Sequence, residues 1–316
     1  MEFLEPFVAV LVIFRESLKL LAKNRKLTAI TLTVSILLSS LSFLILYFCC
    51  KTMSRNMIPI EFFMPIPGSS DDTINFATIL IIFDEYFKII VAFEVFVLAK
   101  SIISIYSSIA TILLSVSSYN GRTITLSFKN LAKLTVQARR RQYKTNLQIS
   151  LRVIGCIFVV LFVASPSMMF SGNSLGEMLW TANLVGISAA CILFLYLSVA
   201  WVLGSVISVI EENCYGIEAM KKAGRLIEGK RIQGFILNIM FNFSLLAVVG
   251  FGILRDHKWL VDNLLIFGLF IVIFSCLLRF FYFVAYTVLY FKCKKSHGEE
   301  IEFPGGIVGY SKISAC

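Results

Sequence analysis

Arg279 stands inside an apolar run, thirteen residues before Lys292. On a helix that separation is roughly 20 Å. An ionised group so deep in an apolar segment is expensive unless it is paired, hydrated or able to reach the lipid headgroups along its own stem. Asn238 and Asn242 are one helical turn apart in the preceding apolar run, about 10 to 16 Å beyond Arg231. Asn242 can therefore meet Arg279 in the interior of a helix bundle. One guanidinium and two carboxamides would suit a small anionic solute or a lipid headgroup. The same three residues can also satisfy one another as a structural cluster, and that plainer use is favoured.

Other chemistry is sparse. Lys88, Glu94 and Lys100 lie towards the far end of another apolar run, where long side chains can lie among headgroups. The eight cysteines show neither metal-ligand spacing nor a disulfide framework, and two histidines are too few for a histidine-based metal site or triad. His257 and Asp262 match a His-x4-Asp spacing of acyltransferases, without the rest of that pattern. No HExxH, GxSxG, Walker or GxGxxG element occurs. Cys293, between Lys292 and Lys294, satisfies the permissive rule for palmitoylation. The sequence therefore predicts no catalytic residue, no metal and no cofactor, and the protein is expected not to be an enzyme.

The elements that position these residues are set by composition. Hydrophobic residues make up 58% of the chain and charged residues 15%, against roughly 45–50% and about 25% in soluble domains, so a membrane protein is expected. A helix needs about 20 apolar residues to cross a bilayer. Six runs qualify, near residues 27–48, 87–117, 151–170, 181–210, 232–254 and 260–291. The second, fourth and sixth exceed the minimum and must tilt, bend or project beyond the lipid. Ahead of them, Phe7, Leu11, Phe14, Leu18 and Leu21 share one helical face, with Arg15, Lys19 and Lys23 on another. That segment reads as a retained interfacial helix, since Glu2 and Glu5 stand where a signal peptide would be basic.

Lysines and arginines gather at alternate ends of the spans. Arg15, Lys19, Lys23, Arg25 and Lys26 precede the first; Arg122, Lys129, Lys133, Arg139, Arg140, Arg141 and Lys144 follow the second; Lys221, Lys222, Arg225, Lys230 and Arg231 follow the fourth; Lys292, Lys294, Lys295 and Lys312 follow the sixth. Short loops rich in these residues stay cytoplasmic, so both termini are expected there. The net charge of +10 lies beside apolar runs, which points to anionic lipid headgroups and the bilayer itself rather than nucleic acid. Candidate headgroup contacts are Lys129, Lys133, Arg139, Arg140, Arg141, Lys221, Lys222, Arg225, Lys230 and Arg231.

The stretches "SLKLLAKNRKL", "SFKNLAKLTV" and "AMKKAGRLIEGKRI" each read as a cationic amphipathic helix followed by two spans. The expected fold is thus an all-α membrane protein. It has six transmembrane helices and three cytoplasmic interfacial helices, readable as three helix-plus-hairpin repeats. Residues 1–292 form the polytopic domain and 293–316 a short cytoplasmic tail. Residues 49–86 form the long outer loop, in which "INFATILIIF" is either a re-entrant or interfacial helix or an extension of the second span.

Glu211, Tyr215, Gly216, Ile217, Glu218, Ala219, Met220, Gly229, Lys230 and Arg231 carry a resemblance. With "SIYSSIATILLSVSSYNG" and "VLYFKCKKSHGEEIE", this block resembles a plant family of multi-span membrane proteins of unknown function. Ala138 to Arg141 depart from that family's Trp-Lys-Arg run. A weaker likeness is to the membrane domains joined to bacterial glycerophosphodiester phosphodiesterases, which implies proximity to lipid. The expected role is non-enzymatic membrane organisation or trafficking, in a plasma membrane or endoplasmic reticulum. The alternative is a transporter or channel for a small anionic or amphipathic solute, centred on Arg279, Asn238 and Asn242.

Overall fold

The computed structural model describes residues 5–56, 76–119, 128–169, 174–254 and 263–299. Among them all regular structure is helical, with no strand. The helices are α1 (Glu5–Lys23), α2 (Arg25–Asn56), α3 (Phe76–Tyr119), α4 (Phe128–Met169), α5 (Ser174–Ile210), α6 (Ile217–Leu226), α7 (Arg231–Leu254) and α8 (Leu264–Ser296). Six stretches are long and apolar enough to cross a membrane: Arg25–Thr52, Ile90–Tyr119, Lys129–Phe162, Val185–Ile210, Arg231–Gly252 and Leu264–Ser296. The number of spans read from hydropathy therefore holds, as for a multi-pass membrane protein.

Of the alternatives for "INFATILIIF", its described part from Phe76 onward is the extension of the second span, because α3 begins at Phe76 and runs on to Tyr119. One difference from the sequence reading has a simple cause: the second basic segment is not a helix distinct from the third span. From Phe128 to Ile154 the chain contains neither glycine nor proline, so nothing in it ends a helix, and both parts form the single α4. The three basic segments thus take three forms: α1, cut from α2 only at Asn24; the first half of α4; and the ten-residue α6. The outer-loop prolines, His257, Asp262 and the tail beyond Glu299 lie outside the described residues.

The chain divides into two compact units. One contains Leu32–Ser104 and Val248–Leu277. Its helices leave Leu37, Leu41, Phe48, Leu98 and Ile266 exposed, the pattern of surfaces that meet lipid rather than water. Within it, Phe43 packs on Gly268 and Phe267 on Gly252, so closely that neither glycine has room for a Cβ.

The other unit contains Met1–Thr31, Ile105–Ala247 and Leu278–Cys316, and it holds most of the buried core. Ile109 and Ile112 of α3, Leu203 and Ile207 of α5, Leu237 of α7, and Tyr286, Tyr290 and Phe291 of α8 are all essentially inaccessible. In helices that cross lipid, close packing and hydrogen bonds rather than transfer from water hold such side chains together. Ser108, Thr111 and Ser115 of α3 are buried too, as expected for small residues where helices approach closely. Gly234 of α7 belongs to the same kind of contact: a Cβ there would meet Val199 Cγ1 at 2.4 Å. The helix lengths beyond the bilayer minimum are therefore used, since Ile105–Ser118, Val199–Ile210 and Phe280–Lys294 supply this core.

Candidate functional site

Glu211 follows the last residue of α5 and is only 6% exposed. Lys222 of α6 donates to its Oε2 at 2.8 Å, and the Tyr290 hydroxyl of α8 donates to Oε1 at 2.9 Å. Lys294, one turn beyond Tyr290 and 3% exposed, forms an ion pair with the same oxygen at 3.5 Å. The Arg141 guanidinium of α4 donates to the Glu211 carbonyl at 3.4 Å. One carboxylate thus joins the ends of α5 and α8 to α6, while its backbone receives α4.

Burial is the largest influence on this carboxyl and raises its pKa. The hydrogen bonds from Lys222 and Tyr290, with the charges of Lys222 and Lys294, together outweigh it and hold Glu211 below the usual carboxylate range. Lys222 is displaced the opposite way: burial lowers it, but the bond to Glu211 and the charges of Glu211 and Glu299 carry it above the usual lysine range. Both groups are ionised at neutral pH. Glu211 already receives a donor on each oxygen, so the arrangement is a clamp rather than a general base.

Local geometry supports the clamp. Gly216 opens α6 with φ 62°, a conformation suited to glycine, and its N–H donates to Thr145 Oγ1 at 2.8 Å. The Ser208 hydroxyl, buried one turn before Glu211, donates to Gln142 Oε1 at 2.6 Å.

A second buried network centres on Asn238, which is fully inaccessible. Its Oδ1 accepts from Tyr282 at 2.5 Å and Tyr286 at 2.9 Å; its Nδ2 donates to Ser198 Oγ at 2.6 Å and the Leu195 carbonyl at 3.0 Å. Every hydrogen-bonding position of this carboxamide is taken. Asn242 is exposed and donates to the Asn238 carbonyl at 2.8 Å, within its own helix. Arg279 takes no part in the hydrogen bonds of Asn238. It is exposed, with its guanidinium 5.7 Å from the Phe283 ring centre. The structure thus builds the expected polar cluster on tyrosines rather than on the arginine.

The ten candidate headgroup contacts separate into two kinds. Lys129, Lys133, Arg139, Arg140, Lys221 and Arg225 are exposed, although Arg139 also donates to Tyr106 Oη of α3 at 3.2 Å. The others are tied into the fold: Arg141 and Lys222 at Glu211, Lys230 to the Lys292 carbonyl at 2.7 Å, and Arg231 to Tyr196 Oη at 3.1 Å and the Gly224 carbonyl at 3.2 Å. Cys293 is fully buried, which removes it as an accessible acylation site. Among the described residues no group of histidine, cysteine and acidic side chains could hold a metal ion.

A family model described as "Domain of unknown function (DUF8558)" matches residues 4–304, nearly the whole chain. No curated protein matches the chain, and no solved structure does.

Proposed function

The chain belongs to this family, whose domain has no assigned function, and on that premise we propose a role from geometry: a non-enzymatic multi-pass membrane protein that organises or traffics membrane through contact with anionic lipid. The carrying observation is the first half of α4. It buries Leu131, Thr135, Ala138, Gln142 and Thr145, a single stripe, and so fixes the rest of its circumference outward. That outward surface carries Lys129, Lys133, Arg139 and Arg140 beside the exposed Val136 and Tyr143. Basic residues near an anionic leaflet contribute about 1 kcal/mol each, so a fixed row of four makes several kcal/mol available without ordering a loop.

In this reading α1, the first half of α4 and α6 are cytoplasmic interfacial segments, and both termini face the cytoplasm of a plant cell, at the plasma membrane or endoplasmic reticulum. The bias of lysine and arginine supports that orientation. A description as three repeats is supported by each basic segment preceding two span-length stretches. The transporter reading has less support, because Asn238 is saturated by its neighbours and takes no hydrogen bond from Arg279.

The test is the lipid that accompanies the full-length protein. Purified from vesicles of mixed zwitterionic and anionic lipid, wild type should retain an excess of the anionic species, measured by mass spectrometry. K129Q/K133Q/R139Q/R140Q should lose that excess. An unchanged lipid ratio would refute the proposal.

A further inference from the structure

We infer that α1 is a fixed wedge in one lipid leaflet, giving the protein a preference for curved or loosely packed membrane; the choice of lipid as occupant rests on the reading above. The apolar side chains of this helix form one broad arc with two flanks. On one, Val10 and Ile13 are 1% and 0% exposed, Ser17 is buried, and Phe14 stacks on Phe241 of α7 at 5.6 Å between ring centres. On the other, Phe7, Val8, Leu11 and Leu18 are 53%, 55%, 64% and 54% exposed. One such flank is enough to seat a surface helix on a core. The second has no such use, and it has Arg15 and Lys19 set among its apolar side chains, both exposed.

Charge and chain continuity identify the occupant. Cations among apolar side chains match the boundary between anionic headgroups and acyl chains. The helix is cut from α2 only at Asn24, and α2 carries the candidate span Arg25–Thr52, so no linker separates this face from lipid.

Attachment makes the wedge permanent. Glu16 pairs with Lys292 at 3.1 Å, Lys23 donates to the Ser118 carbonyl at 3.1 Å, and Asn24 donates to Ser118 Oγ at 2.8 Å. These contacts hold α1 at both its middle and its end against α8 and α3. A free amphipathic helix binds and leaves the leaflet; this one is inserted whenever the protein is in a membrane. It adds area to one leaflet alone, so a membrane already curved away on that side, or poorly packed there, accommodates it best.

The test uses the full chain in giant vesicles containing anionic lipid, with an N-terminal tag labelled from outside by an impermeant dye. A nanotube is then pulled and the tube-to-vesicle ratio compared with that of a lipid dye. Wild type should exceed the lipid dye. L11S should lower the ratio and F7S/L11S/L18S bring it to that of the dye, with thermal unfolding as in wild type, because the substituted side chains are exposed. K129Q/K133Q/R139Q/R140Q should keep the enrichment. A wild-type ratio equal to the dye's, or an enrichment untouched by the triple substitution, would overturn the wedge. So would an enrichment found only in dimers by brightness analysis, since a second copy would then cover the face. If curvature preference is absent while anionic lipid still co-purifies, the wedge fails alone; if co-purification fails too, both readings fall.

Discussion

Replacing Glu211 by glutamine tests the clamp at the meeting of α5, α6 and α8. The amide nearly preserves shape and can still accept from Tyr290, but the negative charge is gone. Lys222 loses little, because it is 30% exposed and can turn to water or to Glu299, 3.7 Å away. Lys294 cannot, at 3% exposure, and its ammonium is left without the carboxylate. Stranding a buried charge by removing its partner costs about 3–5 kcal/mol. At about 2–4 °C per kcal/mol, melting in detergent should fall by on the order of 10 °C. K294M alone should cost less, because Glu211 keeps Lys222 and Tyr290, and E211Q/K294M should recover most of the loss. A melting temperature for E211Q equal to wild type, or no recovery in the double variant, would refute this reasoning. The pH dependence has a definite sign. A carboxylate held below its ordinary value, 4.5, stabilises the fold above that pH. The contribution is lost as pH falls through the lower folded value. The raised Lys222 acts oppositely: its share is present below pH 10.5 and disappears as pH rises through the higher folded value.

Two further outcomes follow from named contacts. Asn238→Leu leaves the Tyr282 hydroxyl without its acceptor and should cost about 1–3 kcal/mol in unfolding measurements. Y282F should cost less, and a double-mutant cycle should show the two changes strongly non-additive; additive losses would contradict the network. Gly234→Ala places a methyl where Val199 Cγ1 lies at 2.4 Å and should destabilise by about 1–3 kcal/mol. V199A should relieve it in the same melting assay.

Much of the fold was legible because apolar length and basic flanks are local signals. Six spans, and α1 as a helix, can be read from single stretches. Continuity of α4 was legible in principle, since nothing between Phe128 and Ile154 breaks a helix, but basic character suggested a separate surface element. The use of excess helix length was not legible: a run such as Phe280 to Lys294 is equally apolar whether it meets lipid or a core. The clamp was missed because its parts are far apart in sequence, with α6 and α7 lying between Glu211 and the helix that carries Tyr290 and Lys294. Its local traces were the tyrosine and lysine one turn apart in α8 and an acid immediately after a long apolar helix. Asn238 was legible as a polar residue within an apolar run. Its partners were not, because a tyrosine hydroxyl leaves no more mark in an apolar run than the aromatic residues around it, whereas an arginine does. Arg141 carried no sign that it differs from Arg139 and Arg140; only the one-stripe burial of α4 separates them.

The central claim is that the exposed basic surface of α4 meets anionic headgroups. The most direct measurement reconstitutes the full-length protein with photo-crosslinking lipids, one anionic and one zwitterionic with the same acyl chains, and maps adducts by mass spectrometry. Adducts of the anionic lipid should concentrate between Lys129 and Tyr143, be absent at Gln142 and Thr145, and fall with added salt. Identical adduct maps for the two lipids would contradict that claim.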